Sequence, residues 1–132
     1  MKAYMIVHRI FSGVQAGVQG AHALAEMMEN ARHGSVRVVR VAHQWVNHEK
    51  TLICLNGGSS RDLKDLISLL QSPNNPYPWG YFCESQDFAE GIITAVAVIL
   101  PSETIEDAEL VDLAPDFYYH VKDKIRNLRL AQ

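Results

Sequence analysis

The sequence predicts an α/β domain, and three observations carry that prediction. Short apolar runs that read as strands alternate with longer stretches whose apolar residues recur every three or four positions. Two stretches, residues 3–32 and 51–70, repeat one plan of strand, short polar turn and helix. Residues 92–100 are apolar almost throughout, as expected of a central strand covered on both faces.

Each element follows from its residues. Residues 3–8 form the first strand, and Arg9 to Gly13 a turn in which Gly13 is able to take a positive φ. The spacing predicts a helix from about Gln15 to Arg32, with Val18, Ala21, Ala25 and Met28 as its apolar face. Gln15, Gln19 and His22 share another face at i, i+4 and i+7. Gly17 and Gly20 each cost about 1 kcal/mol of helix propensity. Close packing or simple tolerance would explain them. Residues 36–47 carry valines that suit a strand, but Val38, Val41, Ala42 and Trp45 fit one helical face, and a helix is expected. Thr51 to Leu55 is a second buried strand. After the turn Asn56-Gly57-Gly58-Ser59, Ser59 and Asp62 make a capping box before the stripe Leu63, Leu66, Ile67, Leu70. If the first two strands are parallel, both turns emerge at one edge of the sheet, where such folds bind ligands.

Residues 72–78 hold three prolines and cannot be helical. Residues 81–84 form a short third strand and residues 92–100 a fourth, which Pro101 stops. Pro115 suits a first helical turn, and Tyr118, Val121, Ile125 and Leu128 then predict an amphipathic helix over 115–130. Its stripe must cap its own sheet or pair across a homodimer.

Composition narrows the function. The chain of 132 residues is 48% hydrophobic and 20% charged, which suits one globular domain with a sizeable core. No apolar run approaches the roughly 18 residues of a membrane span, and Lys2, His8 and Arg9 leave no signal-peptide pattern. No membrane partner and a cytoplasmic location are therefore expected. Cys54 and Cys83 lie in strand-like runs and read as buried thiols in a reducing compartment. The net charge of −3 is not that of a general nucleic-acid binder. Arg9, Arg32, Arg37, Arg40, Lys50, Arg61 and Lys64 do concentrate in the first half, so a basic face for RNA phosphates remains open beside a plain mixed surface.

Gln19-Gly20-Ala21-His22-Ala23 follows the first strand after one loop. Trp45, then residues 51–58, then Glu84-x-x-Asp87, then Thr94-Ala95-Val96 come in turn. The order and spacing of these landmarks resemble the type II peptidyl-tRNA hydrolases over about residues 3–101. The resemblance implies a three-layer α/β/α domain over residues 1–101, with a four-stranded mixed sheet. Residues 102–132 are then a helical C-terminal extension packed on the same domain. It also implies tRNA or peptidyl-tRNA as partner. The family carries a lysine where this chain has Gln15, and Asp-Ala-Gly-x-Thr where this chain has Glu84-Ser-Gln-Asp87-Phe.

The candidate catalytic residues are His22, Asp87, Glu84 and Gln15. A histidine serves as general base near neutral pH, or equally as a core residue bonded to a carbonyl. Asp87 or Glu84 would orient His22 or activate water; a turn aspartate holding its own backbone is the plainer alternative. Gln15 and Gln19 can donate amide hydrogens to an oxyanion but bring no charge. Arg9, Gln19, Asn56, Ser59 and Thr94 are candidate substrate-binding residues. Asn56 and Ser59, with Arg61, would hold a phosphate at a helix start, or simply cap that helix. Thr94 would hydrogen-bond near the site or be structural. His43 and His48 do not share a helical face and no Cys or Asp cluster joins them, so neither metal nor other cofactor is expected. Two functions compete: hydrolysis of the peptide–tRNA ester by activated water, and non-catalytic RNA or protein binding on the same fold.

Overall fold

The computed structural model describes residues 1–84 and 92–132. The strands are β1 (Lys2–His8), β2 (Leu52–Gly58), β3 (Trp79–Cys83) and β4 (Ile93–Leu100). They form one sheet in the order β2-β1-β4-β3. β1 runs parallel to β2 and antiparallel to β4, and β3 is antiparallel to β4. The expected four-stranded mixed sheet is therefore present. The ends of β1, β2 and β3 and the start of β4 lie along one margin, as the parallel pairing requires.

Strand alternation divides the core in two. Ala3 and Val7 of β1 and Ala95, Ala97 and Ile99 of β4 face one way. They meet α1 (Gly13–Arg32), α2 (Val36–Gln44) and a π-helical turn, Trp45–Glu49. Tyr4, Ile6, Val96, Val98 and Leu100 face the other way. They meet α3 (Ser60–Leu70) and, after the short α4 (Ala108–Val111), α5 (Pro115–Arg126). The extension thus packs on the same domain: Tyr118, Val121 and Ile125 are buried in one cluster with Leu63 and Leu70. Among the described residues no helix is long and apolar enough to cross a membrane.

Four expectations need correction. The core face of α1 is Ala16, Gln19, Gly20, Ala23, Met27 and Ala31. Val18, Ala21 and Ala25 are exposed and Met28 is half-buried. Small residues are what admit the helix here: a Cβ on Gly20 would lie 2.9 Å from Met5 Sδ, whereas one on Gly17 would meet nothing within 4 Å. Second, β2 is a margin strand rather than a buried one, with Leu52 43% exposed. Third, α5 ends at Arg126. Leu128 is half-buried beyond it, and Leu130 pairs antiparallel with Leu55. Fourth, Cys83 is exposed and Cys54 half-buried.

Candidate functional site

α1 begins where the chain leaves β1. Ser12 is extended and Gly13 takes φ +57°, the left-handed turn that glycine adopts without penalty. The helix then crosses the alanine-lined face of the sheet toward β3. That route brings the Gln19 amide, 95% removed from solvent, onto Thr94 of β4, which is fully buried. The Thr94 hydroxyl lies 2.8 Å from Gln19 Oε1 and 3.3 Å from the Phe82 carbonyl oxygen. It has one proton, and the shorter contact is the stronger bond. With Oε1 so engaged, Gln19 turns its Nε2 outward and donates to Glu84 Oε2 at 3.2 Å. One turn further along α1, exposed His22 stacks on the Phe82 ring at 4.4 Å between centroids and 13° between planes.

Gln19 and His22 are three apart on a helix, and Glu84 and Phe82 are two apart on the chain leaving β3. The two contacts form adjacent rungs between α1 and β3. A buried hydroxyl fixes a buried amide, and the amide fixes a half-buried carboxylate beside an accessible imidazole. Four sequence candidates, Gln19, His22, Glu84 and Thr94, thus meet in one place. Asp87 lies outside the described residues.

The other candidates sit elsewhere along the margin. Gln15 is exposed on the first turn of α1, about 6 Å along the axis from Gln19. Arg9 and Asn56 line a cavity of about 270 Å³ with Val7, Phe11, Ser12 and residues 129–132. The Arg9 N–H donates to the Gly58 carbonyl at 2.8 Å, and Asn56 Oδ1 accepts the Gly58 N–H at 3.0 Å. Ser59 is the N-cap of α3 in a complete capping box: its N–H donates to Asp62 Oδ2 at 2.9 Å and its hydroxyl accepts from the Asp62 N–H. The Ser59 N–H, and after it the Ser59 hydroxyl 3.0 Å from Asp62 Oδ2, hold the Asp62 carboxyl below its ordinary pKa. Of the two alternatives for Ser59, the structure therefore shows the helix cap. The start of α3 already carries its own carboxylate, and a second anion would be repelled.

One pair was not anticipated from the sequence. His8 at the end of β1 is buried, with Nε2 3.2 Å from Ser60 Oγ on the first turn of α3. The distance resembles that of a nucleophile and its base. The hydrogen bonding excludes that role in this arrangement: the Ile10 N–H donates to His8 Nδ1 at 3.1 Å, so the neutral ring carries its proton on Nε2 and donates it to Ser60. Burial, and after it the charge of Arg9, holds the imidazole below its usual 6.5. The pair was foreseeable, since two parallel strand–turn–helix units place the end of one strand beside the start of the next helix.

No protein-family model matches the chain, and no curated protein does.

Proposed function

We propose that the chain is a peptidyl-tRNA hydrolase-like carboxylic ester hydrolase that splits the bond between a peptide and tRNA with activated water. The observation that supports this most is the Thr94–Gln19–Glu84 relay, which presents a carboxylate in a fixed orientation one rung from His22. In this reading water attacks the ester carbonyl. Glu84 or His22 accepts its proton and returns it to the ribose oxygen as the acyl C–O bond breaks, releasing the peptide acid and the tRNA hydroxyl, and Gln19 steadies the carboxylate. Gln15 takes the place of the family's lysine near the developing oxyanion and supplies only dipoles. No metal enters the reaction.

The second reading is a non-catalytic protein that binds RNA or protein on the same fold. It draws on the helix start, where the Gly13 N–H is already bonded to the Gln132 main-chain oxygen at 2.6 Å rather than open to a substrate.

An N-blocked aminoacyl-tRNA separates the two. Release of the blocked amino acid by the wild type is expected, falling about 10²–10⁴-fold in Glu84→Gln while tRNA binding is kept. tRNA binding without turnover by the wild type supports the second reading. Turnover unchanged in Glu84→Gln removes Glu84 from the chemistry.

A further inference from the structure

The outer edge of β2 is occupied by this chain's own residues 129–132. The Asn56 N–H donates to the Arg129 carbonyl at 2.8 Å, and the Ala131 N–H donates to the Cys54 carbonyl at 3.0 Å. These two bonds flank the antiparallel pairing of Leu55 with Leu130. The main-chain oxygen of Gln132 accepts the Gly13 N–H at the start of α1.

What holds this segment is almost entirely main chain. Leu130 is 68% exposed, and Arg129 and Gln132 also face solvent. Ala131 alone turns inward, half-buried against the core cluster that includes Ala3, Val7 and Trp45. A strand edge that offers an N–H and a carbonyl, a small apolar notch, and a helix-start N–H for the next main-chain oxygen make up a receptor for extended backbone.

We propose that the channel between the edge of β2 and the start of α1 is a binding groove for an extended peptide, and that residues 129–132 are its resident occupant. The partner is a peptide segment that pairs antiparallel to β2. It carries a small residue at the position of Ala131 and is free in sequence at the positions of Arg129 and Leu130. The groove does not rest on the hydrolytic reading. The resident segment competes at an effective concentration in the millimolar range, so an incoming peptide binds well only when that segment is loosened.

The probe is a labelled, acetylated and amidated hexapeptide, Asn-Leu-Arg-Leu-Ala-Gln, the sequence of residues 127–132. Ala131→Pro in the full chain removes the N–H that Cys54 accepts and so loosens the occupant. By fluorescence anisotropy the peptide should bind Ala131→Pro at least about tenfold more tightly than wild type. The same peptide with tryptophan in place of alanine should not bind. A folded Ala131→Pro chain that takes the peptide no better than wild type overturns the proposal. Hydrogen exchange on the wild type tests the groove even if that variant fails to fold. The amides of Gly13, Asn56 and Ala131 should exchange together and ahead of those of β4. Protection equal to that of β4 would make residues 129–132 a fixed part of the sheet and overturn the proposal.

Discussion

His8 is buried at the end of β1 with both ring nitrogens engaged, and the fold disfavours its charged form. A proton on Nδ1 would face the Ile10 N–H, and burial disfavours the cation in any case. The folded pKa lies below the unfolded value of 6.5, so below that pH the unfolded chain binds a proton that the folded chain resists. The stability contributed by this group is full above about pH 6.5 and is lost as pH falls toward the lowered folded value. His8→Gln should flatten that part of the stability curve, as read by urea unfolding at several pH values between about 5 and 7.5. An unchanged slope would assign the pH dependence to other groups.

At the scale of elements, α1 shows how far the sequence could be read. Its length and start were legible, because strand, glycine turn and helix leave a clear pattern. Its orientation was not, because the helix carries two apolar stripes. One runs through Val14, Val18, Ala21 and Ala25, the other through Ala16, Gly20, Ala23 and Met27. Hydrophobicity favours the valine stripe. The alanines of β1 and β4 select the smaller one, because the helix comes too close to the sheet for valine. The Gln19–Glu84 contact was hidden for the same reason, since it appears only once that face is turned inward. α5 was legible through Ile125. Its end was not, because Leu128 continues the helical spacing while its neighbours leave the helix to pair with β2.

The glycines test this account. Gly17→Ala on the open face of α1 should stabilise the protein by about 1 kcal/mol. Gly80→Ala should destabilise it by about 1–3 kcal/mol, because the new Cβ would lie 2.6 Å from the Met27 backbone nitrogen, which cannot step aside as a side chain would. Denaturant titration of both variants reads the difference. Equal effects would mean that α1 does not press on β3 as described.

For the whole molecule, α5 is part of the core rather than an appendage. Tyr118 and Val121 are fully buried, and the Tyr118 hydroxyl donates to the Pro101 carbonyl at 2.8 Å. Burial of Tyr118, Val121 and Ile125 contributes on the order of 1.5–3 kcal/mol each as an upper estimate. That is a large share of a total stability of roughly 5–15 kcal/mol. Deletion of residues 114–132 should therefore abolish cooperative thermal unfolding by circular dichroism. A truncated chain that stays folded would show that α3 and the sheet suffice. The stripe that suggested a homodimer is covered from within the same chain, so the change expected is loss of folding rather than dissociation of a dimer.

The strand order also governs when the fold can form. β1, near the start of the chain, is flanked by β2 and by β4, which is made far later. A nascent chain that has emerged only through α3 can form just the parallel β1–β2 pair, with one side of β1 unpaired. Its closing partners, β4 and then α5, arrive last and from a great distance in sequence. Contacts of that separation slow folding, because the chain between them must be gathered before they form. Until β4 is made, β1 carries an open edge that other chains can join.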